Sequence, residues 1–292
     1  MMGAAVGIGA ALWTLVMAAL ALSVGLTGPA EFKTFLAWLA AGALIVLTGT
    51  LLNWTYGVIS LAYIVDSEEI TVRWGFRRVV IPLETILRIV PGRTLDPARV
   101  HGLNWPGCRI GHADIPHIGY TLYYATNRKQ DELLVLHTTQ EAYAFSVLDQ
   151  AAFAENVQAR MAVTPLEQPH LQHAEATGIS AIPFWRDPIA IASALLAVAA
   201  CALLAGFVSF RYPGLPDVIQ LNFPRFGALV RVGDKSEILK IVYLGVGVLV
   251  ANLVVGVAVH ARERAAGLWL LISGGILQAI LIGAAILAIE RS

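Results

Sequence analysis

Residues 3–26, GAAVGIGAALWTLVMAALALSVGL, contain no charged side chain, and that run decides the class of the chain. A hydrocarbon core about 30 Å thick needs about 20 apolar residues at about 1.5 Å rise each. Four further runs of that kind follow, at residues 34–59, 188–210, 238–259 and 267–289. The break Thr27-Gly28-Pro29-Ala30-Glu31-Phe32-Lys33 is short and rich in turn formers, so the first two runs predict a helical hairpin. The first run has no basic leader and no A-x-A-like cleavage site, which favours a span over a signal peptide. Composition agrees: the 292 residues are 57% hydrophobic and 14% charged, against about 45–50% and about 25% in soluble chains.

Local signals sharpen the later spans. Asp187 can cap a helix and Pro188 suits its first position, where no N–H is needed. Asp234-Lys235-Ser236-Glu237 has capping-box spacing ahead of the fourth span. His260-Ala261-Arg262-Glu263-Arg264 is a short charged link to the fifth. In the fifth span Gly275, Ala279 and Gly283 recur at i, i+4, i+8 and predict a ridge of close helix approach. Asn53, Asn252 and Gln278 read as interhelical hydrogen-bonding groups rather than a substrate path.

Between the second and third spans the texture changes. Tyr63-Ile64-Val65, then 69–74, 79–83, 121–125, 133–137 and 143–147 are short runs rich in Val, Ile, Leu and Tyr, punctuated by turn residues. They predict a small antiparallel barrel or sandwich, with Ile64, Ile70, Val72, Val80, Leu122, Tyr124, Leu134, Leu136 and Phe145 inward. Asp149 can cap a following helix in which Phe153, Val157 and Met161 form one apolar stripe. The expected organisation is a membrane hairpin at 1–60, a β domain at 61–163, a linker at 164–186 and a three-helix membrane region at 187–292. Within that last region residues 211–237 form a loop, and the apolar side chains of 215–237 predict an ordered lid against the membrane surface.

The β region resembles the bacterial pleckstrin-homology-like domain family. The carriers are Tyr63-Ile64-Val65-Asp66, the strand end Arg78-Val79-Val80-Ile81-Pro82-Leu83, the 86–90 strand, Gly102, Pro106-Gly107 and Gly111. The pair Tyr123-Tyr124-Ala125-Thr126 and Tyr143-Ala144-Phe145-Ser146 completes them. The resemblance implies a seven-stranded barrel capped by a C-terminal helix, and it implies no activity. Residues 211–240, with Leu215-Pro216-Asp217, Ile219, Phe223, Gly227, Arg231, Gly233 and Lys235, resemble a short membrane-protein domain found in relatives of a toxin-immunity protein. Gln220 and Asn222 depart from its Pro and His.

Candidate chemistry is sparse. His101, Cys108, His112, Asp114 and His117 could all ligate zinc, but their spacing matches no standard signature, so a polar loop is expected. No nucleophile elbow, P-loop or dinucleotide-binding glycine motif occurs, and no enzyme activity or cofactor is expected. Arg73, Trp74, Arg77 and Arg78 make the one local basic cluster of the β region and are the candidate lipid- or partner-binding residues. Net charge is zero, which gives no electrostatic case for nucleic acid. The expectation is a non-catalytic binding or scaffold protein of the cytoplasmic membrane. Its partners would be the bilayer and another membrane or membrane-associated protein, with the β domain on the cytoplasmic side. The alternative is a receptor or immunity-type protein whose 211–237 loop meets an external ligand.

Overall fold

The computed structural model describes residues 2–96, 98–126, 129–162, 173–176, 181–220 and 232–290. In chain order its elements are helices α1 (Met2–Thr27) and α2 (Phe32–Ser60), then strands β1 (Ala62–Val65), β2 (Glu69–Trp74), β3 (Arg77–Pro82), β4 (Ile86–Pro91), β5 (His101–Trp105), β6 (Cys108–Ile115), β7 (Gly119–Ala125), β8 (Leu134–Thr138) and β9 (Ala142–Phe145). Helix α3 (Gln150–Met161), β10 (His173–Ala176), α4 (Pro188–Arg211), β11 (Val218–Gln220), β12 (Val232–Asp234), α5 (Leu239–His260) and α6 (Arg264–Glu290) follow. Among the described residues five helices are long and apolar enough to cross a membrane, as the five apolar runs predict. The chain divides into two compact units, Met1–Thr14 with Val46–Ala181, and Leu15–Ile45 with Ile182–Ser292.

The first unit holds the β domain, and its strands form two sheets rather than a closed barrel. The orders are β1-β2-β3-β10 and β4-β8-β9-β7-β6-β5. A barrel closes only when its edge strands pair. The outer edge of β3 is already taken by β10, with Arg78 opposite Glu175, and a 3₁₀ turn at Leu83–Thr85 breaks the chain between β3 and β4. Pairing is antiparallel except between β7 and β9, which run parallel. A strand therefore lies where the sequence predicts only a linker; its residues, His-Ala-Glu-Ala, show no apolar alternation to announce it.

Both faces of the six-stranded sheet carry a buried core. Toward the small sheet and α3 it presents Leu122, Tyr124, Leu136, Tyr143 and Phe145, which meet Ile70, Val72, Val79, Ile81 and Val157. On the opposite face Ala113, Ile115, Tyr123, Ala125, Val135, Ala142 and Ala144 form a second core, covered by Leu95, Ala98, Val100 and Ile118. Period-two alternation sends neighbours to opposite faces, so Tyr123 and Tyr124 both find a core. One inward assignment needs correction: Ile64 is exposed, whereas Val80 and Leu134 are buried but lie in neither cluster. The α3 stripe packs as predicted, with Asp149 accepting from the Ala152 N–H at 2.9 Å, but only Val157 is fully buried; Phe153 and Met161 are partly so.

The hairpin β5–β6 falls in the stretch that the sequence predicts to be a polar loop. Gly102 and Gly111 look like breakers but face each other across the strand pair. A Cβ on either would stand 2.4 or 2.2 Å from the partner strand's carbonyl oxygen. The glycines permit close backbone approach inside strands, not turns.

In the second unit α4, α5 and α6 pack through small residues. The buried stripe of α6 is Gly267, Leu271, Gly274, Gln278, Ala285 and Ile289, a seven-residue repeat. The expected Gly275/Ala279/Gly283 ridge is displaced from it: an added Cβ at Gly283 would meet nothing within 4 Å. Gln278 is wholly buried and its Nε2 donates to the Gly245 carbonyl at 2.7 Å, the interhelical bond expected of it. Asn53 instead lies on an exposed helix face.

Candidate functional site

Two hairpins of the β domain reach the ends of the first two helices. Gly75, in the left-handed region at φ 56°, turns β2 into β3 and donates its N–H to Ser60 Oγ at 2.7 Å. Phe76 packs on Tyr56 with centroids 5.0 Å apart. A Cβ on Gly57 would lie 2.7 Å from Trp74 Nε1, so α2 presents a bare backbone to that indole. On the other hairpin Trp105 packs edge-on against Trp54 at 5.7 Å and donates from Nε1 to the Gly3 carbonyl at 3.1 Å. Amphipathic aromatic rings at the ends of apolar helices are what a membrane–water boundary favours.

The basic cluster lies on that same β2–β3 hairpin. The Arg77 guanidinium stands 5.8 Å from the Trp74 ring. Arg78 is neutralised by Glu69 at 2.9 Å and also donates to Thr71. Arg73 sits directly opposite Arg78 in the strand register, a like-charge pair that Glu69 relieves. Of the four candidate residues, three cations and one indole therefore share a single hairpin next to the end of α2. Beneath them Cys108 is buried; burial pushes its thiol up to about 11, with the Trp74 indole pulling the other way.

The five potential metal ligands are not brought together. His101 and His112 pair across β5 and β6 with rings stacked 5.9 Å apart, and Asp114 lies two residues further along the same face. Cys108 is four residues from His112, about 13 Å along an extended strand, and at the buried end. His117 occupies the β6–β7 turn at φ 66°, where its carbonyl accepts from Arg88 at 3.2 Å. Among the described residues no group of three or more His, Cys, Asp or Glu side chains is placed to hold a metal ion.

What the histidines do form is a ring ladder. Tyr120 stacks on His112 at 5.4 Å, extending the His101–His112 pair across three strands. The registers put His101, His112, Asp114 and Tyr120 on the face that elsewhere carries Leu122 and Tyr124 into the core. Here that inner face runs past its cover: His101, His112, Asp114 and Tyr120 are all exposed. The sheet ends at β5, whose outer edge has no paired strand among the described residues. The sequence reading does not single out Tyr120; its one signal is the alternation Tyr120, Leu122, Tyr124.

The 211–237 segment has ordered ends. β11 and β12 pair, Lys235 bonds Asp217 at 2.8 Å, and Leu215 and Ile219 pack with Leu204, Val208 and Ile238. Lysine beside it holds the Asp217 carboxyl below the usual carboxylate range. Residues Leu221, Phe223, Phe226, Leu229 and Val230 of the expected lid lie outside the described residues.

Residues 61–161 match a family described as "Bacterial PH domain", which identifies the β domain as PH-like. No match is found among curated proteins or among solved structures.

Proposed function

We propose that this chain is a membrane-anchored, non-catalytic binding or scaffold protein whose PH-like domain docks a partner protein at the uncovered end of its larger sheet. The observation that carries the reading is the exposed ladder His101–His112–Tyr120 beside the unpaired edge of β5. Rings held flat on a rigid sheet offer contact area at low entropic cost, and aromatic side chains are enriched where proteins meet. An open strand edge adds backbone donors and acceptors for a partner strand. Anchorage supports the same reading. The contacts of Trp105 with Gly3 and of Gly75 with Ser60 hold the domain to the ends of α1 and α2, on the cytoplasmic side in this proposal. The Arg73, Trp74, Arg77 and Arg78 hairpin then faces the headgroup region.

A second reading has its own observation. The β11–β12 ribbon, closed by Asp217–Lys235, gives the segment that resembles toxin-immunity relatives a rigid base, from which 221–231 could meet an external ligand. A photocrosslinking amino acid placed at Tyr120 or at Val218 separates the two in living cells. A discrete protein adduct from position 120 supports docking at the sheet. Adducts from position 218 alone would transfer the function to the ribbon.

A further inference from the structure

A second polar site is built in the other compact unit, where α4 begins, α5 ends and α6 begins. Asp187 caps α4: its Oδ1 accepts from the Ile189 and Ala190 N–H groups at 3.0 and 3.4 Å. Its Oδ2 accepts from Arg264 Nε at 2.6 Å and stands 3.6 Å from His260 Nε2. Asp187 and His260 are buried, with side chains 7% and 2% exposed, whereas that of Arg264 is 64% exposed. The Phe184 ring closes edge-on over His260 at 6.3 Å. Asp187, His260 and Arg264 line an open depression of about 270 Å³ together with Pro183, Arg186 and Pro188.

The charge balance of this depression points to an anion. The Asp187 carboxylate is committed: one oxygen caps a helix and the other holds Arg264. Because Arg264 is fixed through Nε, its terminal nitrogens remain for something else, and a planar guanidinium suits phosphate. Arg186, exposed on the rim, makes no hydrogen bond or ion pair among the described residues. The first turn of α6 adds the positive end of a helix dipole. A further sign is His260, nine-tenths buried in the lining, whose Nδ1 has no hydrogen-bond partner among the described residues. Buried polar groups normally have one.

The position says which anion. Apolar spans begin at Pro188 and Arg264 and end at His260, so the depression lies at the level where the hydrocarbon gives way to headgroups. Trp185 and Ile189 beside it are more than half exposed, an indole for the interface and an aliphatic side chain for an acyl tail. We propose that this depression binds the phosphate of an anionic phospholipid headgroup between Arg186 and Arg264, with Asp187 as the group that orients Arg264.

The test uses the purified full chain in mild detergent. Native mass spectrometry compares retention of added phosphatidylglycerol with that of phosphatidylcholine, and a parallel arm adds inorganic phosphate at millimolar concentration. The intact chain should retain phosphatidylglycerol preferentially. Arg186→Gln should reduce that excess about fivefold, the worth of one interfacial arginine. Arg264→Gln should reduce it further, and Asp187→Asn should reduce it while leaving both arginines in place. If the latter two variants fail to fold, Arg186→Gln decides alone, since that side chain holds nothing together. Equal retention of the two lipids, or an undiminished excess in Arg186→Gln, overturns the proposal. So does binding of inorganic phosphate without a lipid preference, which would assign the depression to a soluble anion.

Discussion

The hydroxyl of Tyr63 is a polar tie between the two sheets, and Tyr63→Phe tests how the domain is held together. The hydroxyl donates to the Tyr124 carbonyl on β7 and accepts from the Ser146 N–H at 3.4 Å. The ring packs against Phe145 at 5.0 Å and stays in place in the variant. No cavity opens, so the loss is one buried hydrogen bond plus weakened satisfaction of a second group, about 1–2 kcal/mol at neutral pH. Burial also pushes the Tyr63 hydroxyl up from 10.0 to about 12. The sign follows: between those values the folded state holds a proton that the unfolded state has lost, so this group's stabilisation is complete below pH 10 and declines as pH rises. The decline is about 1.4 kcal/mol by pH 11 and about 2 kcal/mol by pH 12. Phenylalanine has no such dependence. Tyr123, Tyr124 and Tyr143, also raised by burial, are common to both proteins and cancel. The advantage of the native protein over Tyr63→Phe should therefore shrink above pH 10 and reach zero near pH 11–12. Urea titration of the full chain in nonionic detergent measures it, read by a brief pulse of an alkali-tolerant protease. A gap that stays constant or widens with pH would refute the assignment of that hydroxyl to a buried inter-sheet bond.

Three further outcomes follow from the packing. Val157→Ala should cost about 2 kcal/mol, two buried methyl groups plus part of the cavity, and Phe153→Ala no more than that despite its larger side chain; urea midpoints of the two variants check the order. Gly57→Val should push Trp74 off the end of α2 and raise proteolysis of the β2–β3 hairpin, whereas the same change at Gly49, which meets nothing within 4 Å, should not. For topology, Cys108 is useless as a reporter because it is 1% exposed with a raised thiol pKa. Leu148→Cys in a Cys201→Ala background places a thiol at a fully exposed position instead. Resistance to an impermeant maleimide in intact cells, with labelling after lysis, is expected of a cytoplasmic domain.

The parts of this protein that sequence reasoning reaches are those where one local rule governs. Span length depends on apolar run length alone, so residues 188–210 predict α4 to within a residue or so. Capping by Asp187 and by Asp149 depends on three neighbouring N–H groups and is equally legible. The bacterial PH likeness rests on short stretches of β1, β3 and β4, on Gly102, Pro106-Gly107 and Gly111, and on the Tyr-rich strands β7 and β9. Legibility ends where a residue serves two partners. Gly102 and Gly111 read as loop residues because their reason is the backbone across the strand pair, nine residues away along the chain. The β10 strand has no apolar signature because what recruits it is the vacant edge of β3. Asp187 reads as a cap, and its second oxygen is assigned only when α5 and α6 bring His260 and Arg264 to it, more than seventy residues downstream. The same limit explains the histidines. Their residue types permit a zinc reading that their spacing does not support, and strand register separates Cys108 from His112 and stacks His101, His112 and Tyr120 into a face. Residue types in a loop permit ligation; only register decides whether the same side chains converge on a point or spread along a surface. Here, among the described residues, they spread along a stretch of inner face that lies exposed at the end of the sheet, and that stretch is the docking surface of the proposed function.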